Sequence, residues 1–248
     1  MTGRLDGVTA IVTGASSGIG EATARALSAE GATVALLARR EDRLTGLAAE
    51  LGRASVHPVD VTDDDALHAA VDAVAEQHGA VDVLVNNAGF GVWGPAADAD
   101  VADWRKVVDI NLTGVLSTTH AALPHLARAA VGPRGVADVV TISSVAGRTV
   151  PTPASNVYAA TKHGVGAFSE ALRQEYAEQH VRVGLVEPGL VTSEMTTSGH
   201  GHAPDATAAS DRQVLDPADI ADAVVYMVVR PRHAAVNEML VRPVEQVR

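Results

Sequence analysis

Residues 13–20 read Thr13-Gly14-Ala15-Ser16-Ser17-Gly18-Ile19-Gly20, between an apolar run, Val8–Thr13, and a helical pattern, Gly20–Glu30. Glycines at a strand-to-helix junction permit a tight turn and let a pyrophosphate approach backbone N–H groups closely. The following helix presents the positive end of its dipole to the same point. The spacing is G-x-x-x-G-x-G, not the strict G-x-G-x-x-G of dinucleotide dehydrogenases. The strand–loop–helix context therefore carries more of the argument than the glycines.

Outward from this junction, short apolar runs alternate with longer amphipathic stretches. Val8–Thr13, Thr33–Ala38, Ser55–Val59, Val81–Asn86, Val136–Ser143, Val181–Glu187 and Glu238–Val241 read as strands. Their near-continuous apolarity suits strands buried on both faces of a parallel sheet. Gly20–Glu30, Arg43–Leu51, Asp64–Gln77, Val101–Ala130 and Tyr158–Gln179 read as helices. This rhythm with right-handed crossovers predicts an α/β fold, a Rossmann-type doubly wound parallel sheet in a single domain. The cofactor half spans about residues 1–135 and the catalytic and substrate half about 136–248. Residues 192–213, rich in Thr, Ser, Ala, Gly and His, have no clear period and read as a flexible lid. Asp216-Pro217 restarts a helix, with Asp216 as N-cap and Pro217 in the first helical position.

Composition narrows the function. The chain has 248 residues, 47% hydrophobic and 20% charged, an ordinary globular mix with enough apolar material for a sizeable core. Nineteen Lys and Arg against 30 Asp and Glu leave a formal charge of −11. That balance argues against general binding to nucleic acid or to an anionic membrane. Cysteine is absent, which excludes disulfides, thiolate catalysis and Cys-based metal sites. No apolar run approaches the roughly 18 residues of a membrane span. The N-terminal residues lack the apolar core of a signal peptide, so a cytoplasmic protein is expected.

The second strand ends in Ala38-Arg39-Arg40, about 20 residues beyond Gly20. An NAD-binding unit places a carboxylate there for the ribose 2′-OH, whereas guanidinium forks suit a 2′-phosphate. NADP(H) is the favoured reading. The alternative is two solvated arginines paired with Glu41 and Asp42.

Further on come Asn86-Asn87-Ala88-Gly89 after the fourth strand, Asn111 in a long helix, Ser144 after the fifth strand, and Tyr158 with Lys162. Four residues apart on a helix, Tyr158 and Lys162 share one face. A free tyrosine is a poor base at neutral pH, and a nearby ammonium favours the phenolate. The pair alone is weak evidence, because an exposed Tyr–Lys contact looks the same.

Taken together and in this order, T-G-x-x-x-G-x-G, N-N-A-G, Asn111, Ser144 and Tyr158/Lys162 resemble the short-chain dehydrogenase/reductase family along essentially the whole chain. The resemblance implies that Tyr158 is the general acid/base and that Ser144 positions the substrate oxygen. It implies that Lys162 lowers the tyrosine pKa and holds the nicotinamide ribose. Asn111 resembles the helix-kink residue whose exposed carbonyl holds a water in a proton relay. By the same resemblance Gly14, Ser16, Ser17, Gly18, Ile19 and Gly20 hold the pyrophosphate side, with Arg39 and Arg40 at the 2′-phosphate. Asn87, Ala88 and Gly89 line the adenosine side, and Asp60 and Val61 the adenine. Pro188, Gly189, Val191 and Ser193 resemble the P-G-x-V-x-T segment packed on the nicotinamide, with Ser193 where Thr is usual.

Ser144 precedes Tyr158 by 14 positions, one more than in many members, which leaves Ser143 as a competitor. Ser144-Val145-Ala146-Gly147 matches the family's S-x-x-G and favours Ser144. Ala38–Leu44 and Asn237–Pro243 are similar to an NADP-dependent subgroup that includes clavulanic acid dehydrogenases and serine/3-hydroxy acid dehydrogenases. A homo-oligomer, tetramer or dimer, is implied as well.

The substrate pocket is expected to be walled by Phe90, Trp93, Ser144, Val145, Pro151, Tyr158 and Gly189, with core packing as the alternative for Phe90 and Trp93. An uncharged, medium-sized ketone or aldehyde suits that apolar lining. His200-Gly201-His202 lacks nearby acids at ligand spacing, so no metal site is expected. The rival to an enzyme is a non-catalytic NADP-binding sensor or scaffold on the same fold.

Overall fold

The computed structural model describes residues 3–197 and 213–247. Its strands are β1 (Thr9–Thr13), β2 (Thr33–Ala38), β3 (Ala54–Pro58), β4 (Val83–Asn86), β5 (Ala137–Ile142), β6 (Val181–Pro188) and β7 (Glu238–Val241). They form one parallel sheet in the order β3-β2-β1-β4-β5-β6-β7. The helices are α1 (Gly18–Ala29), α2 (Glu41–Leu51), α3 (Asp64–His78), α4 (Val101–Val108), α5 (Gly114–Ala130), α6 (Asn156–Tyr176), α7 (Glu194–Thr197) and α8 (Pro217–Val228).

Alternation along each strand builds a core on both faces of the sheet. Ala10, Val12, Val34 and Leu36 pack with Leu27 of α1, Leu44 of α2 and Ile220 and Val224 of α8. Ile11, Ala35, Leu37 and Leu84 point the other way, onto Leu67 and Val71 of α3, Leu126 of α5 and Leu172 of α6. This is the predicted doubly wound sheet in one domain.

The chain winds outward in opposite directions from the β1/β4 seam. The carboxyl ends of the strands at that seam are where open α/β sheets bind ligands.

Helix ends follow the expected chemistry. Asp63 accepts a hydrogen bond from Ala66 N at the start of α3. Asp216 and Asp219 form a reciprocal capping box at α8, with Pro217 in the first turn.

One expectation fails. The helix predicted over Val101–Ala130 is interrupted by a π-helical turn at Asp109–Thr113, which divides it into α4 and α5. Such wide turns commonly occur at functional sites. The predicted lid falls largely, and His200 and His202 wholly, outside the described residues.

Candidate active site

The glycine loop divides its labour. Gly14 and Gly18 take positive φ angles of 66° and 55°, which suit a residue without a side chain. A Cβ on Gly14 would lie 2.9 Å from Ala88 Cα, and one on Gly20 would lie 2.4 Å from Gly14 O and from Asn87 Nδ2. Those two glycines therefore let the loop pack on the turn after β4. At Gly18 a Cβ would meet only Ser193 Cβ, at 3.8 Å, so this backbone borders open cleft. Thr13 ties the two turns together: its hydroxyl accepts from Asn87 N at 3.0 Å and Ala88 N at 3.1 Å. Asn87 Nδ2 returns a bond to Thr13 O at 2.9 Å.

The two arginines after β2 behave differently. Arg40 folds over the glycine loop, donating to Ser16 Oγ at 3.0 Å and Ser17 Oγ at 2.7 Å. It also donates from Nη1 to Glu194 Oε2 at 2.9 Å. The Arg39 side chain is 66% exposed, and its Nη1 lies 3.7 Å from Asp60 Oδ2. Asp60 meanwhile accepts from the Thr62 N–H and hydroxyl. These partners differ from Glu41 and Asp42, the neighbours in sequence.

At the other end of the cleft, α6 sets Tyr158 and Lys162 one turn apart. Ser144 opens a short 3₁₀ turn, where its Oγ accepts from Ala146 N at 3.1 Å, and it lines the cleft together with Tyr158. Ser143 is buried and directs its hydroxyl to Lys162 O at 3.4 Å. That engagement with the main chain of α6 sets Ser143 apart from Ser144. Gly147 permits this arrangement, because a Cβ there would sit 2.9 Å from Lys162 O.

Lys162 Nζ donates to Ile142 O at 2.9 Å and lies 5.7 Å from the centre of the Tyr158 ring. Burial lowers the Lys162 pKa to about 8. Burial raises Tyr158 above its ordinary value, and the Ser144 hydroxyl opposes that rise.

The cleft between these ends has a volume of about 500 Å³. Trp93 and Tyr158 stand with ring centres 5.5 Å apart, and Lys106 Nζ sits 4.2 Å above the Phe90 ring. Phe90, Trp93, Val145, Pro151 and Gly189 all line the cleft, as do Ile19, Val61, Pro188, Val191 and Ser193. Gly20 and Asn111 do not: Gly20 lies beneath the loop, and Asn111 lies behind the wall in the π turn.

Glu194 and Met195, at the start of the predicted lid, also line the cleft, whereas Val59, Ile110, Ile142, Thr152, Ser155 and Gln246 line it without being singled out by sequence reasoning. Gln246 Oε1 accepts from Leu190 N at 2.9 Å, which fastens the C-terminal segment to the turn after β6. No local pattern marks it.

Among the described residues, no helix is long and apolar enough to cross a membrane, and no group of three or more His, Asp and Glu side chains is arranged to hold a metal.

A family model described as short chain dehydrogenase matches residues 8–202. An uncharacterized oxidoreductase of Staphylococcus aureus is 38% identical over 237 residues, 95% of this chain and 96% of its own. The closed form of a serine dehydrogenase complexed with NADP⁺ superposes with a TM-score of 0.89 at 32% identity, covering 97% of both chains. An alcohol dehydrogenase from the archaeon Thermococcus sibiricus, complexed with 5-hydroxy-NADP, gives 0.84 at 30% identity over 96% of this chain and 97% of that one.

Proposed function

We infer, since this chain belongs to the short-chain dehydrogenase family, that it is an NADP(H)-dependent oxidoreductase interconverting a carbonyl and a secondary alcohol. The observation that carries the reading is the gathering of Ser144, Tyr158 and Lys162, one turn on, around the same cleft that Arg40 and the glycine loop line.

The chain's own groups suit the dinucleotide. The open backbone at Gly18 and the N-terminus of α1 offer N–H donors and partial positive charge to a pyrophosphate. Arg40, Ser16 and Arg39 supply the donors that a 2′-phosphate needs. Asp60, Val61, Asn87, Ala88 and Gly89 border the adenosine side. Bound NADP(H) supplies or accepts the hydride.

In this reading Tyr158 gives its phenolic proton to the carbonyl oxygen during reduction and withdraws it during oxidation. Ser144 hydrogen-bonds that same oxygen and holds it at the phenol. Lys162 holds the nicotinamide ribose and adds positive charge beneath Tyr158. Asn111 supports a proton relay through its main-chain carbonyl in the π turn.

Phe90, Trp93, Val145 and Pro151 exclude water and favour an uncharged, medium-sized ketone or aldehyde. The protein works in the cytoplasm and as a homo-oligomer; exposed Leu240 in β7, the edge strand, and Val244 just after it support the oligomer. A panel of uncharged ketones and secondary alcohols, followed by NADPH absorbance, tests the function. Turnover of at least one pair is expected. Tight NADPH binding with no turnover on any would favour the sensor reading instead.

A further inference from the structure

Glu194 and Arg40 are 154 residues apart in sequence, one at the start of α7 and the other just after β2, yet they pair at 2.9 Å. Arg43 Nη2 approaches the other carboxylate oxygen at 4.0 Å, and the Ser17 hydroxyl, which accepts from Arg40 Nη2, adds to the pull on the carboxylate. The Glu194 carboxylate thus faces two guanidinium groups and a hydroxyl of the glycine loop. Its pKa is lowered despite some burial, because Arg40, Ser17 and Arg43 outweigh desolvation, so it is ionised at neutral pH.

This donor set is also what a phosphate monoester recruits: planar guanidinium forks and a hydroxyl around a compact anion. Arg40 already spends other N–H groups on Ser16 and Ser17. The Nη1 edge that meets Glu194 is the part of Arg40 left for a second anion. Two anions cannot share that edge without close like-charge contact.

We propose that Glu194 is a specificity-determining residue, an internal anion that competes with the 2′-phosphate of NADP(H) for Arg40 and Arg43. The inference rests on the NADP(H) reading above. Glu194 weakens binding of the phosphorylated cofactor and leaves NAD(H) untouched. It thereby sets how strongly the protein discriminates between the two, and cofactor binding releases the carboxylate that ties α7 to β2.

The test is calorimetric titration of the full chain and of its Glu194→Gln and Glu194→Ala variants with NADP⁺, NAD⁺ and adenosine 2′,5′-bisphosphate. The Glu194 side chain is 51% exposed, so neither variant removes core packing. NADP⁺ and the bisphosphate are expected to bind both variants about fivefold more tightly, the scale of one exposed ion pair, with NAD⁺ unchanged. That gain should shrink as salt is added.

If wild type prefers NADP⁺ but both variants bind it equally or more weakly, the competition is overturned while the cofactor reading stands. Weaker binding would mark Glu194 as a support that aims Arg40. If wild type and both variants alike bind NADP⁺ and NAD⁺ equally, the cofactor reading fails and the inference fails with it.

Discussion

The side-chain amide of Asn111 and the backbone of Phe90 hydrogen-bond in both directions, Nδ2 to Phe90 O and Phe90 N to Oδ1, each at 2.8 Å. Nδ2 also reaches Thr161 Oγ1 at 3.4 Å, next to Lys162. One buried amide thus joins the π turn, the loop after β4 and α6. Asn111→Leu would remove the side-chain partners of the Phe90 N–H and C=O, at about 1–3 kcal/mol for each group left unsatisfied. The urea midpoint should fall accordingly, and Asn111→Asp, which restores the acceptor alone, should fall between. A Leu variant as stable as wild type would show that the bonds do not brace the loop.

Lys162 carries a cost in stability. Its pKa is 10.5 in the ordinary state and about 8 here, so the folded protein binds the proton less well than the unfolded chain. Below pH 8 the buried ammonium destabilises the fold; the penalty fades as pH rises and is gone above pH 10.5. The difference corresponds to about 3 kcal/mol. As pH rises from 8 to 10.5, wild type should therefore gain stability relative to the Lys162→Met variant by that order, read from paired urea titrations. A constant difference would show that Lys162 titrates normally.

Ser144→Ala removes the hydroxyl that opposes the effect of burial on Tyr158. The Tyr158 pKa should rise further, and the alkaline rise of kcat/KM for alcohol oxidation should move to higher pH, because oxidation needs the phenolate. An unmoved or acid-shifted profile would detach Ser144 from the tyrosine.

Arg40→Ala tests cofactor choice. Loss of one charge-assisted contact, about 1.5–3 kcal/mol, corresponds to roughly 10- to 150-fold in NADP⁺ affinity. NAD⁺ affinity should change far less. Equal losses for both nucleotides would mean that Arg40 serves the loop and not the phosphate.

Much of this architecture is legible in the sequence. Burial on both faces makes Val34–Leu37 wholly apolar, and the glycine loop shows its role because a positive φ and a 2.4 Å approach leave no room for another residue. The π turn is not legible in the periodicity, because apolar residues such as Val107, Ile110 and Val115 continue through it; only the resemblance at Asn111 points to a kink there. The bonds from Asn111 to Phe90 span 21 residues of sequence. Arg39 and Arg40 look alike as neighbours; Ser16, Ser17 and Glu194 distinguish them, and Glu194 is distant in sequence. Gln246 meets Leu190 only because β7 pairs with β6.

Tyr158→Phe tests the central claim most directly, since it keeps the ring beside Trp93 and removes only the hydroxyl. Turnover of a good ketone with NADPH should fall by at least the roughly 100-fold expected for loss of a general acid/base, while NADPH affinity measured by titration stays near wild type. A variant that retains more than about a tenth of wild-type turnover would contradict the role given to Tyr158.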